Sequence, residues 1–313
     1  MAIVGGSGTA TATGHTTTQV PLLASAAALS SGIVWSFGAI AARKADESDA
    51  FQYLIWRSIA IIVVIEAVAR VRRRRPVTVQ AFGGGGMMLL ACGCLLLASI
   101  AFVYAVKTTT PANAAFLASV TPLVAVLMAK VALGEPLTPV TIAAVAVAFV
   151  GLLVTVVGDL EAGNLTGNIA ALTSSVGFAG YAVCLRTDPR RDWSPVLPGY
   201  GVMMIVLCSV ITLGTGGTLV PPAPDIGYAL IHGGAFIVVG TLLFNMASRQ
   251  IPAVAMSVFA QTEMLFVPIW AFFLLSERPK PATLVGGTII FAAVIGKALL
   301  DARSDPRRAP ITP

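Results

Sequence analysis

The sequence predicts an all-α, polytopic membrane protein with ten transmembrane helices that form two inverted five-helix repeats. Of its 313 residues, 57% are hydrophobic and only 11% are charged, whereas a soluble domain carries about 25% charged residues. The segments 87–106 and 140–157 contain no charged residue, and a helix of about 20 apolar residues spans a bilayer core. Because backbone polar groups find no water in hydrocarbon, helices are the expected spanning structure.

Glycines, prolines and charged clusters divide the chain into ten apolar spans. The predicted spans lie at 22–42, 51–71, 85–106, 111–133, 139–157, 167–186, 196–214, 226–248, 253–275 and 282–300. Five spans precede the polar segment DLEAGNLTGN (159–168) and five follow it. The predicted domains are a disordered cytoplasmic tail at 1–20, a first repeat at 21–158 with spans 1–5, a linker at 159–166, a second repeat at 167–301 with spans 6–10, and a cytoplasmic tail at 302–313.

The distribution of lysine and arginine predicts the orientation. If the N-terminus is cytoplasmic, most of these residues fall on the inside, and the basic loop RVRRRRP (70–76) contributes strongly. Both termini are therefore predicted to be cytoplasmic, in the cell (inner or plasma) membrane. The net charge of +6 sits at helix ends, where an anionic leaflet attracts it. It does not form the broad basic face that nucleic acid requires.

Three pairs of segments match at an almost constant offset of 141 to 143 positions. ALGEPLTP (132–139) matches LLSERPKP (274–281), and SGIVWSFGAIAARK (31–44) matches SSVGFAGYAVCLRT (174–187). AFVYAVKTTTPANA (101–114) matches LLFNMASRQIPAVA (242–255). Since each repeat has an odd number of spans, the second copy enters the membrane from the opposite face. Inverted repeats of this kind are a transporter architecture.

The segments 109–154 and 251–296 resemble the signature half-repeat of the drug/metabolite transporter superfamily, EamA type. The resemblance implies a central cavity lined by spans 1–4 and 6–9, with spans 5 and 10 at the periphery. It also implies a substrate among amino acids, nucleotide sugars, phosphorylated sugars, purines or amphipathic drugs. The second repeat departs from the pattern, because Ser276 stands where the first has Gly134 and Met264 where the first has Pro122. The two helix bends are therefore expected to be unequal.

Ionisable residues deep in a span are costly and indicate function by default. Glu263, in FAQTEMLFVP, is too short to reach the surface, and Gln261 adds polarity beside it. It could carry a proton or bind a substrate amine, or it could be a protonated carboxyl bonded to a neighbouring helix. Arg57 could extend to the outer surface, hold a carboxylate in the cavity or pair with Glu263. His232 could be a packed polar residue or a pH-sensitive gate.

Aromatic and amide residues in the spans are candidates for a cavity wall, which is typically apolar with a few polar groups. These candidates are Trp35, Tyr104, Asn113, Phe116, Tyr181 and Asn245. Pro122 and Pro268 are hinge candidates, because proline leaves a carbonyl unbonded and bends a helix. Each of these residues could equally serve packing alone.

The motifs absent from the sequence favour a transporter without a cofactor, a metal site or enzyme activity. The chain has no GxxxxGK[ST] motif and no HExxH motif, and its four cysteines lie in apolar runs.

Three hypotheses for the function stay open. The first is an alternating-access exporter of small metabolites, namely amino acids or amphipathic amine-bearing compounds, coupled to proton entry through Glu263. The second is an uncoupled uniporter, an exchanger or an importer. The third is an intramembrane enzyme or a non-transporting receptor or scaffold. The expected partners are a small-molecule substrate, the lipid bilayer and, under the first hypothesis, protons. No nucleic-acid partner is expected. The protein could be a monomer or a homodimer.

Overall fold

A computed structural model describes residues 22–72, 75–134, 137–160, 165–188, 190–248 and 262–303. Its helices are α1 (Leu22–Lys44), α2 (Ala50–Val71), α3 (Val77–Gly83), α4 (Gly86–Thr108), α5 (Pro111–Ala118), α6 (Thr121–Leu133), α7 (Pro139–Leu160), α8 (Leu165–Thr187), α9 (Val196–Gly214), α10 (Ala223–Ile231), α11 (Val238–Ser248), α12 (Thr262–Leu275) and α13 (Pro281–Arg303). A π-helical turn, His232–Ile237, joins α10 to α11. The described ranges contain no strand, so the all-α prediction is confirmed for them.

Several of these helices have the length and apolar composition of membrane spans. Six qualify among the described residues: Leu23–Lys44, Gly86–Thr108, Pro111–Leu133, Leu165–Leu185, Val196–Gly214 and Ala223–Phe244. Shorter apolar helices cover Pro139–Thr155, Thr262–Leu275 and Pro281–Lys297. The chain is therefore a multi-pass membrane protein, while the count of ten spans and the side of the termini stay predictions.

The helices pack in pairs that the inverted repeat relates to one another. α4 packs chiefly on α8, and its repeat-related counterpart is the packing of α10 and α11 on α1. Likewise, α5 and α6 pack on α8 as α12 packs on α1. The pairs α2–α9 and α7–α13 each map onto themselves. This arrangement is a pseudo-two-fold one, as two inverted repeats require.

Glycine lets the most closely packed helices approach. A Cβ at Gly177 of α8 would lie 2.5 Å from the Ala98 nitrogen of α4. A Cβ at Gly151 of α7 would lie 2.6 Å from the carbonyl oxygen of Gly286 on α13. Packing between membrane helices depends on such small residues, since lipid is as apolar as the side chains it touches.

The fourth predicted span is interrupted between α5 and α6. Pro122 lies in the first turn of α6 and has no N–H to offer the Ala118 carbonyl four residues earlier. The Thr121 hydroxyl donates to that carbonyl at 2.7 Å, and the Ser175 hydroxyl of α8 donates to it at 3.2 Å. Pro268, by contrast, lies inside the uninterrupted α12. The counterpart of the α5–α6 break falls at residues 261–262, next to a segment that lies outside the described residues, so the unequal bends and a hinge role for either proline stay predictions.

Candidate functional site

Aromatic rings from three elements meet beside α12. The Phe37 ring of α1 stacks on Trp270 of α12, with centroids 4.8 Å apart, and contacts Phe236 of the π-helical turn at 5.7 Å. Phe266 lies 5.6 Å from Trp270. The Trp270 indole N–H donates to the buried Ser36 hydroxyl at 2.8 Å, which fixes the ring against α1. We call Phe37, Phe236, Phe266 and Trp270 the aromatic cluster.

Glu263 lies on the helical face that carries the aromatic cluster. Residues three, four and seven positions apart share one side of an α-helix, so Glu263, Phe266 and Trp270 form one stripe on α12. The Glu263 side chain is half-buried, and no described residue donates a hydrogen bond to its carboxyl group or pairs with it. A carboxylate beside aromatic faces attracts an organic ammonium group through charge and through cation–π contact.

Arg57 is buried at 3% exposure between α2 and its neighbours. One guanidinium nitrogen, Nη2, donates to the Ser99 hydroxyl of α4. The side chain therefore does not extend to the outer surface. It also forms no ion pair with Glu263 in this structure, because the salt bridge found within the described ranges joins Arg43 and Glu277.

His232 is buried at the start of the π-helical turn. Its Nδ1 is 2.9 Å from the Tyr53 hydroxyl of α2, and its Nε2 faces Gly38 of α1, where a Cβ would overlap the ring. A Cβ on the next residue, Gly233, would overlap the carbonyl oxygen of Arg57. The turn therefore brings α1, α2 and the α10–α11 segment into direct contact, and π-helical turns are frequent at functional sites.

A polar network lies at the end of the bundle that the sequence places outside. Arg43 pairs with Glu277 at 2.7 Å, joining α1 to the end of α12. Arg43 also donates to the carbonyls of Val106 at 3.4 Å and Lys107 at 3.2 Å. The Lys107 ammonium donates to the carbonyls of Ala45 and Ser48. These contacts connect segments from both repeats, and we call the Arg43–Glu277 pair the outer latch.

The residue before Glu277 of the outer latch has a left-handed backbone conformation. The preceding residue, Ser276, has φ +56°, and its counterpart in the first repeat, Gly134, has φ +71°. Glycine adopts this left-handed conformation freely, whereas other residues pay about 1–2 kcal/mol. Ser276 is thus a strained helix end directly before the ion pair.

The other predicted site residues lie in separate environments. Tyr104 lines an outer cavity of about 310 Å³ together with Arg43, Asp46, Asp49 and Lys107, among others. Trp35 contacts Phe244 with centroids 5.4 Å apart. Asn113, Phe116 and Tyr181 are buried or half-buried in the packing. Asn113 forms hydrogen bonds with Thr109 and Asn168. Phe116 lies against Gly287, and Tyr181 packs on the main core. The side chain of Asn245 and the whole of Gln261 lie outside the described residues.

The aromatic cluster and Ser36 did not stand out from the sequence. The spacing of Glu263, Phe266 and Trp270 was a usable signal, since it places them on one face of a helix. Nothing in α1 or the π-helical turn indicated that Phe37 and Phe236 would meet that face. Over the described ranges, no group of three or more His, Cys, Asp or Glu residues is placed to hold a metal ion.

Family comparison agrees with this two-repeat arrangement. The model of the EamA-like transporter family matches residues 22–157 and again residues 165–297. The chain belongs to the EamA-like transporter family. It is thus a membrane transporter of the drug/metabolite transporter superfamily, and the family is one of transporters rather than enzymes.

One solved structure, described only as a crystal structure of a protein, shares the fold of this EamA-like chain. The two are 18% identical, with a TM-score of 0.64, and the match covers 90% of this chain and 98% of that one. At this identity the likeness establishes the fold alone. No curated protein matches the chain.

Proposed function

We propose that this EamA-like protein exports small amine-bearing amphipathic compounds by alternating access, with Glu263 as the shared site for the amine and for a coupling proton. The observation that carries the proposal is the stripe of Glu263, Phe266 and Trp270 facing α1. It combines a half-buried acidic side chain, which has no partner among the described residues, with an aromatic wall. Export is the direction we expect if a proton entering the cell displaces the amine.

Charge supports an amine over a phosphorylated substrate. Phosphate recognition normally uses a cluster of arginine or lysine side chains. The cations of the outer network are already engaged: Arg43 by Glu277, and Lys107 by backbone carbonyls. Glu263, on the helical face of the aromatic cluster, is acidic and forms no ion pair with a described residue, which favours a cationic group there.

The outer latch supports alternating access. It joins α1 of the first repeat to the end of α12 in the second, and in the proposed cycle this pair holds the predicted outer face closed. Transport requires that this pair open while the opposite end closes. A carboxyl group that is alternately exposed to the two sides can exchange an amine for a proton, because only one of the two neutralises it at a time.

A ligand-binding experiment tests the site. We would measure thermal unfolding of the purified protein with 2-phenylethylamine and with its uncharged analogue 2-phenylethanol. Amine at about 100 times its Kd should stabilise the folded state by roughly 2.7 kcal/mol, while the alcohol should act far more weakly. Glu263→Gln should abolish the difference between the two ligands, and Glu47→Gln, which alters an exposed carboxylate, should preserve it.

The result also separates the alternatives. An amine effect that survives Glu263→Gln would move the site elsewhere and remove the basis for proton coupling. An uncoupled uniporter or exchanger would bind the amine through Glu263, yet its flux would ignore a pH gradient. A receptor or scaffold would show no flux at all.

A further inference from the structure

Arg57 is a buried cation that lacks a counter-ion. Its side chain is 3% exposed, and no carboxylate in the described chain lies within ion-pair distance. A guanidinium group offers five N–H donors, but its one acceptor among the described residues is the Ser99 hydroxyl. The Nε atom is buried with no hydrogen-bond partner.

Two acids lie near Arg57 without pairing with it. Tyr53, Cys208 and His232 lie within electrostatic range of the guanidinium. Asp225 also acts on Tyr53 and Asp49 on Cys208, but neither carboxylate is within ion-pair distance of Arg57, and Asp225 accepts a hydrogen bond from the Ser48 N–H. Tyr53 and His232 bond to each other. The hydroxyl of the next residue, Ser58, is also buried without a partner. No described carboxylate forms an ion pair with the guanidinium.

Leaving a charge unpaired in a protein interior costs several kcal/mol, and inside a membrane it marks a functional position. A planar guanidinium with free donors matches a carboxylate, which accepts two parallel hydrogen bonds. At the offset of the repeat, Arg57 falls on Tyr200, which is buried at 2% exposure. The second repeat therefore supplies no equivalent cation, and the site has the charge for one carboxylate.

The π-helical turn connects Arg57 to the aromatic cluster. The backbone carbonyl of Arg57 touches Gly233 in the π-helical turn, and the same turn carries Phe236 of the aromatic cluster. A rearrangement of the π-helical turn would thus affect Arg57 and the aromatic cluster together. The Tyr53–His232 pair lies at the same junction of α2 with the turn.

We propose that Arg57 is an anion-binding group that takes a single carboxylate, either the carboxylate of the transported compound or a free small anion. This inference rests on the proposed function, because an anion reaches a buried guanidinium only through a path that opens. Together with Glu263, it would favour substrates that carry both an amine and one carboxylate. The guanidinium would hold the carboxylate, and Glu263 would hold the amine.

The test uses the full chain purified in detergent, in a chloride-free buffer whose own anion is kept at one low concentration and serves as the baseline for every ligand. Thermal unfolding is followed against phenylacetate, its neutral analogue phenylacetamide, and chloride. Phenylacetate should stabilise the wild type saturably, and phenylacetamide should not. Arg57→Gln should weaken the apparent affinity for phenylacetate roughly 10- to 100-fold, as expected for loss of a charged hydrogen bond. Arg57→Lys should retain part of the response.

Two further arms identify the source of the anion and keep the two proposals apart. Equal stabilisation by chloride would assign the site to a free anion, whereas a much stronger effect of phenylacetate would assign it to the substrate carboxylate. Glu263→Gln should leave the phenylacetate response intact while it removes the response to 2-phenylethylamine. Failure of the amine arm alone would therefore overturn the proposed function and not the anion site.

Three results would overturn the anion site. The first is a phenylacetate response that is the same in Arg57→Gln and the wild type. The second is a wild type that no anion stabilises. The third is a large fall in the unfolding temperature of ligand-free Arg57→Gln, or failure of both Arg57 variants to fold. Either result would mean that the guanidinium stabilises the fold itself and does not await an anion.

Discussion

Removal of the Glu277 carboxylate should open the predicted outer face. In Glu277→Gln the outer latch loses its ion pair, while the side chain keeps its size. Arg43 and Glu277 are 32% and 24% exposed, so solvent screens part of their attraction. Exposed pairs contribute about 0.2–1 kcal/mol, and we take about 1 kcal/mol because the guanidinium also bonds two carbonyls. A change of that size multiplies the ratio of open to closed molecules about fivefold.

The assay is the rate at which a membrane-impermeant maleimide labels a cysteine in the outer cavity. Tyr104→Cys introduces the thiol, because Tyr104 lines that cavity. Three of the four native cysteines are buried and Cys94 is half-buried, and the parent without Tyr104→Cys measures their background. Glu277→Gln should raise the labelling rate about fivefold, and Glu47→Gln, which alters an exposed carboxylate, should not change it.

Charge reversal gives the decisive comparison. The double variant Arg43→Glu with Glu277→Arg should slow labelling part of the way back, because it restores opposite charges but not the Arg43 hydrogen bonds to the Val106 and Lys107 carbonyls. Equal labelling in Glu277→Gln, Glu47→Gln and the parent would refute the latch. Glu135 holds the position of Glu277 in the first repeat and lies outside the described residues. The inverted repeat alone predicts that Glu135→Gln slows labelling.

Three further predictions concern stability and are checked by the thermal unfolding temperature of the purified protein. Ser175→Ala should lower the free energy of unfolding by about 1 kcal/mol, because the Ser175 hydroxyl donates to the Ala118 carbonyl, which Pro122 leaves without its helical N–H. The matched control is Ser174→Ala, whose hydroxyl bonds within its own helix. An equal loss in both variants would remove the special role of Ser175. Ser276→Gly should raise the unfolding free energy by about 1 kcal/mol, since glycine accepts φ +56° without strain; a decrease would mean that the serine side chain is needed. Gly286→Ala should destabilise the folded protein strongly, because the new Cβ would overlap the Thr155 hydroxyl and the α7 backbone. The control is Gly296→Ala, whose Cβ would meet nothing within 4 Å. Equal effects of the two substitutions would contradict the close α7–α13 packing.

Much of the fold was predictable because membrane helices are specified locally. Most predicted span boundaries fall within a few residues of the described helices, but the start of the ninth span lies outside the described residues and the fourth span is divided into α5 and α6. The inverted repeat and the resemblance of 109–154 and 251–296 to EamA-type half-repeats predicted the family that the comparison then showed. Each of these signals lies within one stretch of chain or in a pairing of two stretches.

The site was less predictable because a helix that is apolar on all sides does not reveal which face points inward. Glu263 stood out as an acid deep in a predicted span, but the aromatic residues Phe37 and Phe236 of the cluster come from distant segments. Arg43 and Glu277 are 234 positions apart, and each looked like an ordinary charge at a helix end. The π-helical turn at His232 depends on its contacts with α1 and α2, which no local pattern encodes.

The most direct test of the account is amine efflux from proteoliposomes with a defined pH gradient. The interior is loaded with radiolabelled 2-phenylethylamine, and wild type, Glu263→Gln and Glu47→Gln are compared with and without the gradient. Efflux from protein-free liposomes under the same gradient is subtracted, because the neutral amine crosses lipid and is trapped by protonation on the acidic side. The account predicts that an inward proton gradient accelerates efflux in the wild type and in Glu47→Gln. It predicts that Glu263→Gln loses this acceleration. Gradient-driven efflux that persists in Glu263→Gln, or that is absent from the wild type, would contradict it.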